Sequence, residues 1–301
     1  MNMTLTAIIP SFRLPFLILA PICVFLGASI SYMEQSAVDY AVLAIAFLGA
    51  ISAHIAVNTI NEYQDYVSGL DLKTIRTPFS GGSGLLSQHP ELLPGVKRAA
   101  IVTTLLTFLI GVYFVTLYGV AVIALVPMGL LGLAIIISYT KWINKWPITC
   151  LVAPGLCFGL LMVAGSQVIL SGHFSTTPWL IGLIPFFLIN NLLLLNQYPD
   201  IDADKSIGRN HFPIAFGIKA SNSIFFIFSV CSTLLLGFFI SQKLLPTMSA
   251  MAFIPLALAF VALYGAIKFK ENIGQHPIYL AYNVSCALLT PLTIAITVFL
   301  N

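Results

Sequence analysis

The sequence predicts an all-α integral membrane protein, a bundle of nine transmembrane helices formed by a single domain over residues 1–301. Its composition indicates this class, because 59% of the residues are hydrophobic and the mean hydropathy is +0.99. Only 8% of the residues are charged, whereas about 25% is usual in soluble domains. The spacing of the apolar stretches and the placement of the charges predict the number and direction of the helices.

Nine apolar stretches are long enough to cross a bilayer, which takes about 20 mostly apolar residues in a helix. They lie near residues 13–33, 38–60, 98–118, 120–140, 147–170, 178–197, 215–240, 246–267 and 277–300. The breaks after the third and seventh stretches are short. Alternating crossings place the N-terminus and the loops after spans two, four, six and eight on one side of the membrane.

The basic residues support this count because they collect on that one side. With nine spans, Lys243 alone lies on the opposite side. The others are Arg13, Lys73, Arg76, Lys97, Arg98, Lys141, Lys145, Lys205, Arg209, Lys219, Lys268 and Lys270. Loops rich in Lys and Arg stay cytoplasmic. We therefore expect a multi-pass protein of the inner (plasma) membrane whose N-terminus and polar loops are cytoplasmic.

Two acidic clusters follow spans two and six, and both lie on the predicted cytoplasmic side. The first extends from Asn58 to Asp71, and the second from Asn196 to Asp204. Their equivalent positions, four spans apart, predict a pseudo-repeat of two four-helix units followed by one helix. Carboxylates at the mouth of a membrane bundle are costly unless a positive group binds there.

Each cluster places its polar side chains on one helical face. Asn58, Asn61 and Asp65 are spaced i, i+3 and i+7, and Asn196, Asp200 and Asp204 are spaced i, i+4 and i+8. The two faces can point into one cavity. Oxygen ligands of this kind suit a hard cation such as Mg²⁺, which binds one or two carboxylates together with substrate phosphates.

The same loops also carry cations, which suits a polyanionic ligand such as a diphosphate. The candidate residues that contact it are Lys73, Arg76, Lys141, Lys205 and Arg209. A glycine-rich stretch, residues 79–84, could offer backbone N–H groups to phosphate oxygens. A flexible loop is the simpler explanation of those glycines.

At these residues the chain resembles the UbiA-type intramembrane aromatic prenyltransferases. That family carries two Asp-rich motifs on cytoplasmic loops after the second and sixth of nine helices. The first motif corresponds to Asn61, Asp65 and Asp71, with Glu62 where Asp is usual, and the second to Asp200 and Asp204. The spacing from Asp65 to Asp71, with Asn196 and Lys205, is similar to the 1,4-dihydroxy-2-naphthoate branch of menaquinone synthesis.

The resemblance implies Mg²⁺-dependent transfer of a polyprenyl group from a polyprenyl diphosphate to an aromatic quinone precursor, with release of diphosphate. Asp65, Asp71, Asp200 and Asp204 would be the catalytic metal ligands, assisted by Asn61 and Asn196. Asn58 would join the substrate-binding residues. Tyr139 matches a family tyrosine near the substrate, where its ring could stabilise an allylic cation or only pack.

Other acceptors and another class of protein stay open. After span four the naphthoate branch often has a Gly-Leu-Gly-Glu-like stretch, which residues 145–150 do not match. The acceptor could therefore be 4-hydroxybenzoate, homogentisate or a tetrapyrrole. A cation-coupled transporter could also use acidic ion sites, although such sites usually lie near the membrane midplane. The expected partners are the lipid bilayer and the two substrates, and no nucleic acid.

Overall fold

The computed structural model describes residues 5–35, 37–119 and 123–301, and within these ranges the protein consists of helices and loops without β-strands. Eight helices are long and apolar enough to cross a membrane. They are α1 Leu14–Gln35, α2 Tyr40–Val67, α3 Pro90–Tyr118, α5 Pro147–Ser171, α6 Thr177–Asn196, α7 Phe212–Ser241, α8 Thr247–Gln275 and α9 Pro277–Phe299. The protein is thus a multi-pass helical membrane bundle, as predicted.

The fourth span differs from the prediction in length. Residues 120–122 of the predicted stretch 120–140 lie outside the described residues, and the helix that follows, α4, covers Leu125–Ser138. Its 14 residues rise about 21 Å at 1.5 Å per residue, against about 30 Å of hydrocarbon. As a regular helix, α4 is therefore shorter than the membrane is thick.

Three other helices are markedly longer than predicted, and all three extend on the side of the acidic clusters. Helix α2 continues to Val67 instead of ending near residue 60, α3 begins at Pro90 instead of near residue 98, and α8 continues to Gln275 instead of ending near residue 267. The hydropathy of α2 falls after residue 57, where the polar residues begin. These polar side chains point into the protein instead of into lipid, and the helix can therefore continue past the predicted end. This extension carries Asn58, Asn61 and Asp65 on one rigid element.

Helix α1 lies at the centre of the packing, where it contacts α2, α5 and α9. Helix α6 packs in turn against α5, α7 and α9. The pairs α2 with α3 and α6 with α7 are equivalent neighbours in the two predicted four-helix units. The internal duplication itself stays a prediction.

Helix α5 is interrupted by a π-helical segment, Leu156–Met162, which follows Pro154. Proline lacks an N–H and crowds the preceding turn, so the regular ladder is disturbed there. Asn190 on α6 replaces part of the lost backbone hydrogen bonding, because its Oδ1 accepts a hydrogen bond of 2.6 Å from the N–H of Gly155. Polar side chains commonly join membrane helices in this way.

Glycines allow α5 and α6 to approach closely beside this segment. A Cβ atom added at Gly159 would come within 2.4 Å of the backbone N of Phe186, and one added at Gly182 within 2.4 Å of the carbonyl oxygen of Gly159. Neither contact is sterically possible. The two helices therefore pack backbone to backbone at this level.

We expect Gly159→Ala to destabilise the protein by on the order of 1–3 kcal/mol, because an extra methyl group must push α5 away from α6. Gly111→Ala is the matched control, since Gly111 is also helical and its added Cβ meets no atom within 4 Å. The measurement is thermal unfolding in detergent. Equal unfolding temperatures for the two variants would contradict this account of the helix contact.

Candidate active site

Four loops meet at one end of the bundle and bring the two acidic clusters together. The Thr140 hydroxyl, after α4, donates to Oδ1 of Asn61 on α2 at 3.1 Å. The N–H of Asn210, after α6, donates to the carbonyl oxygen of Asn144 at 2.8 Å. The loops after α2, α4 and α6 therefore form one surface. Gly274, at the end of α8, adjoins the same surface beside Thr77.

The first acidic cluster is divided between the end of α2 and the turn after it. Asp65 is buried on the last turns of the helix. The chain then reverses at Gly69, whose φ of 76° is in the left-handed region that glycine tolerates best. Asp71 follows on a short 3₁₀ turn, Leu70–Leu72, and is also buried. The reversal turns Asp71 back toward the helix end.

The second cluster lies where α6 ends. Asp200 precedes a short helix, Ile201–Ser206, which carries Asp204. The Asp204 carboxylate accepts two hydrogen bonds, from Nη1 of Arg209 at 2.7 Å and from Nε2 of His211 at 2.9 Å. These contacts fix the orientation of Asp204. The sequence had not indicated a role for His211.

One largely buried guanidinium, on a side chain that is 12% exposed, joins the clusters directly. Arg209 pairs with Asp204 through Nη1 and with Asp65 through Nη2. Burial alone would lower the pKa of Arg209, but the charges of Asp65 and Asp204 outweigh that effect and raise its pKa. A second contact links the loops nearer the surface, where Nζ of Lys73 lies 3.2 Å from Oγ of Ser206.

Two carboxylates of the site, Asp71 and Asp200, form no ion pair within 4 Å among the described residues. Burial, followed by the negative charges of Glu62 and Asp65, raises the pKa of Asp71 to about 7. Burial, followed by the charge of Asp204, raises the pKa of Asp200 to about 7. Such shifts mean that the ionised carboxylates repel one another and lack solvation. A bound cation would remove that penalty.

The oxygen atoms of Asp71, Asp200 and the neighbouring Asn196 suit a hard cation. Oδ2 of Asp71, Oδ1 of Asp200 and Oδ1 of Asn196 are buried, and none has a hydrogen-bond partner among the described residues. All three are of the oxygen type that Mg²⁺ prefers. Within the described ranges, no three His, Cys, Asp or Glu side chains are placed to hold a metal ion by themselves. A cation would therefore need further oxygens from a ligand.

Glu62, which stands where the family usually has Asp, holds the glycine-rich loop. Its Oε2 accepts from the N–H of Ser83 at 3.1 Å, and its Oε1 accepts from the Ser83 hydroxyl at 2.5 Å. A Cβ added at Gly82, whose φ is 75°, would lie 3.2 Å from Oδ1 of Asp71. The loop thus passes directly beside the carboxylates. The backbone of Gly81 in this loop favours the charged form of Asp200 and so offsets part of the rise in its pKa.

Arg13 belongs to the site, although the sequence analysis used it only as a cytoplasmic charge. Its backbone is left-handed, with φ 54° and ψ 55°, which is rare for a residue other than glycine. Its Nε is buried and lacks a partner among the described residues. A Cβ at Gly82 would lie 3.5 Å from its Nη2, so the guanidinium adjoins Asp71. Strained backbone of this kind is frequent at functional sites.

The other predicted cations lie at the rim. Lys73, Arg76, Lys141 and Lys205 are exposed. Arg76 donates from Nη2 to the Ser87 hydroxyl at 2.6 Å and to the backbone oxygen of Asp71 at 3.3 Å. Lys141 lies 5.2 Å from the ring centroid of Trp142. Arg209 is therefore the one member of the predicted cationic set that the described structure buries among the carboxylates.

Below the polar groups, a cavity of about 200 Å³ extends into the bundle. Arg13, Asn58, Asn61 and Asn196 line it near the site, and apolar side chains line the rest. Asn58 is held by a 2.9 Å hydrogen bond from its Nδ2 to the carbonyl oxygen of Phe12. The predicted Asn residues thus surround the entrance of one cavity.

Tyr139 contributes to the wall of the same cavity. Its hydroxyl lies 3.6 Å from Sγ of Cys150, which in turn lies 3.2 Å from Oδ1 of Asn144. These contacts hold the phenol ring in place beside the cavity.

The family model of the UbiA prenyltransferase family matches residues 20–283. The chain belongs to the UbiA prenyltransferase family. The assignment made from the two Asp-rich motifs is thereby confirmed, and with it the prediction of a prenyltransferase family fold. The matched range includes both acidic clusters and every helix from α2 to α8.

Two relatives and one solved structure define the similarity. The zebrafish (Danio rerio) UbiA prenyltransferase domain-containing protein 1 is 27% identical over 206 residues, covering 67% of this chain and 59% of the relative. The Bacillus subtilis 1,4-dihydroxy-2-naphthoate octaprenyltransferase is 26% identical over 190 residues, covering 61% and 58%. The matches thus span under two thirds of each relative's length.

The solved structure is a UbiA homolog from Archaeoglobus fulgidus bound to GPP and Mg²⁺. It superposes with a TM-score of 0.67 at 14% identity, covering 98% of this chain and all of that one. At this identity the match establishes the shared fold.

We expect Arg209→Met to destabilise the protein by about 3 kcal/mol, because it leaves the buried carboxylates of Asp65 and Asp204 without their shared cation. Lys205→Met is the matched control, since it removes the same charge from an exposed position four residues away. Thermal unfolding without added metal or substrate measures both. An Arg209 variant as stable as the control would show that the ion pairs contribute little.

Proposed function

We propose that this protein transfers a polyprenyl group from a polyprenyl diphosphate to an aromatic quinone precursor similar to 1,4-dihydroxy-2-naphthoate, in a Mg²⁺-dependent reaction that releases diphosphate. One observation carries the proposal. Carboxylate and amide oxygens that have no hydrogen-bond partner among the described residues are buried beside an apolar cavity inside a membrane bundle. A ligand that suits both the polar oxygens and the apolar cavity has a polyanionic head with a bound cation and an apolar body.

The diphosphate head would bind between the two acidic clusters. Asp71, Asp200 and Asn196 each have an oxygen with no hydrogen-bond partner among the described residues, which could bind Mg²⁺. Asp65, Asp204 and Asn61 complete the proposed ligand set. Bound Mg²⁺ would supply positive charge that stabilises the departing diphosphate. The A. fulgidus homolog bound to GPP and Mg²⁺ supports this assignment by analogy of fold.

Basic residues of the chain would neutralise the remaining negative charge. Arg13 and Arg209 lie among the carboxylates, and Arg209 could turn from Asp65 toward a phosphate oxygen once a metal is bound. Arg76, Lys73, Lys141 and Lys205 surround the rim, where they would attract the polyanion from solution. Guanidinium groups suit this task because they donate two parallel hydrogen bonds to phosphate.

The prenyl tail would enter a second, larger cavity of about 390 Å³. Its lining is mostly apolar, and it shares Ala53, Ile136, Cys157 and Met162 with the cavity below the site. The two cavities therefore adjoin. Gly129 and Gly132 leave open space in the wall formed by α4, since a Cβ added at either meets no atom within 4 Å.

In the reaction, the allylic C–O bond breaks and its electron pair leaves with the diphosphate. An aromatic carbon of the acceptor then forms the new C–C bond to the allylic carbon, and that ring position gives up a proton or carboxyl group to restore aromaticity. Tyr139 and Phe158 line the cavity in which the cation would form, and aromatic ring faces stabilise cations. The apolar walls keep water from it.

The naphthoate-like acceptor rests on motif spacing and on the similarity to the B. subtilis enzyme. The positive-inside pattern supports a site on the cytoplasmic face of the inner membrane. The alternatives 4-hydroxybenzoate, homogentisate and a tetrapyrrole differ in ring number and substituents. An acceptor panel therefore separates them.

The direct test uses the purified full-length protein with Mg²⁺, a radiolabelled polyprenyl diphosphate and each of these acceptors. We expect a prenylated lipid product with 1,4-dihydroxy-2-naphthoate, and none when Mg²⁺ is chelated. A folded protein that forms no product with any acceptor would overturn the proposal. Solute flux in proteoliposomes without turnover would instead favour a transporter.

In that assay, Asp200→Asn is expected to lower kcat by at least about 100-fold, because the amide keeps the volume but loses the metal-binding charge. Asp202→Asn is the matched control: Asp202 is an exposed carboxylate two residues away and should keep near-normal activity. The thermal stability of Asp200→Asn without metal should not fall, since it removes a repelled charge. Near-normal turnover would exclude Asp200 as an essential ligand.

Gly132→Phe should fill part of the larger cavity and so discriminate between donors by tail length. We expect kcat/KM to fall roughly 10-fold or more with a long polyprenyl donor and to change little with geranyl diphosphate. Leu131→Phe is the control, because Leu131 is exposed on the outer side of α4 and does not line the cavity. Equal losses for both donors would place the tail elsewhere.

A further inference from the structure

His54 is a buried polar residue for which the proposed metal and diphosphate chemistry has no use. It lies on α2 one turn before Asn58, is 7% exposed and lines the cavity below the site. Its Nδ1 is buried without a hydrogen-bond partner among the described residues. Leaving such a group unpaired costs about 1–3 kcal/mol.

The surroundings of His54 explain why its Nδ1 has no hydrogen-bond partner in the part of the chain that the structure describes. Its ring meets Phe158 edge-on, with the centroids 4.9 Å apart. Ala53, Val57 and Met162 supply further apolar wall in the same cavity. A histidine kept only for packing would gain nothing from its ring nitrogens here. His54 therefore offers a ring nitrogen beside the apolar side chains of the cavity wall, one turn away from Asn58.

The position of His54 suits an aromatic ligand rather than the diphosphate. It precedes Asp65 by eleven residues, which is about 16 Å along the helix axis at 1.5 Å per residue. The diphosphate, held at the carboxylates, would not reach it. The cavity between them, about 200 Å³, exceeds the roughly 150 Å³ that admits a benzene ring in an apolar core.

We propose that His54 hydrogen-bonds a ring hydroxyl of the aromatic acceptor and so determines specificity for hydroxylated acceptors. The inference rests on the proposed function, because it names the residue that would recognise the acceptor. A site whose buried polar group pairs with a substrate hydroxyl discriminates strongly against the analogue that lacks it, since that group is then left unpaired. His54 contacts the acceptor in this scheme without taking part in bond breaking at the donor.

The test compares 1,4-dihydroxy-2-naphthoate with the analogues that lack either hydroxyl, as substrates or, where no product forms, as competitive inhibitors. His54→Phe keeps an aromatic ring but removes both nitrogens. We expect it to reduce the preference for the dihydroxy acceptor over one analogue by roughly 10- to 100-fold. The KM for the prenyl diphosphate should stay within about twofold. His54→Gln, which restores a polar group, should recover part of the preference.

Val57→Ala is the matched control, because Val57 lines the same cavity without a polar group. It is expected to affect all acceptors alike, so that the preference is unchanged. If the His54→Phe protein does not fold, His54→Leu serves in its place. A preference that stays within twofold of wild type for both analogues would overturn the role of His54. A wild-type protein inactive on every acceptor would overturn the proposed function instead.

Discussion

The site depends on the two ion pairs that the guanidinium of Arg209 forms. This guanidinium is shared by Asp65 at the end of α2 and Asp204 after α6, and so joins two segments that are remote in sequence. Without a cation between them, two groups of carboxylates at one mouth would repel each other and lose solvation together. The ion pairs engage Asp65 and Asp204, whereas Asp71 and Asp200 each keep one carboxylate oxygen without a hydrogen-bond partner among the described residues.

Polar and apolar groups are separated along the bundle axis. Charged side chains and the glycine-rich loop, held by Glu62 and Ser83, lie at one end, and the two adjoining cavities lie beneath them. An amphipathic substrate would be bound in a single orientation by this arrangement. Its head would meet charge, and its body would meet hydrocarbon. Orientation of this kind accounts for much of the advantage of an enclosed site.

The sequence was sufficient to predict eight of the nine spans, apart from some of their ends, and both acidic clusters, because hydropathy and i, i+4 spacing are local properties. The structure places the three predicted Asn residues around one cavity and joins Asp65 to Asp204 through Arg209. Arg13 was missed because its role depends on a left-handed turn that brings it to Asp71, more than fifty residues away. Contacts over such separations leave no local pattern.

Other features were equally hidden. In the sequence, Glu62 only departs from the usual Asp of the first motif. In the structure, its carboxylate accepts a hydrogen bond from Ser83 and so holds the glycine-rich loop. His54 lies on an apolar helix at a position where most histidines simply pack, and its unpaired nitrogen becomes visible only with its neighbours in place. Hydropathy did not predict that α4 is short, because it measures the length of an apolar stretch and not the length of the helix within it.

The π-helical segment of α5 has a consequence for the register of that helix. A π turn accommodates one additional residue, and each residue of an α-helix advances about 100° around the axis. The side chains beyond Met162 are thus rotated relative to those before Gly155. Cys150 can thereby face Tyr139 at the polar end, while Gln167 still reaches Glu34 at the opposite end of the bundle. Removing a single residue from this stretch would turn the two halves of α5 out of phase and aim one of them at lipid.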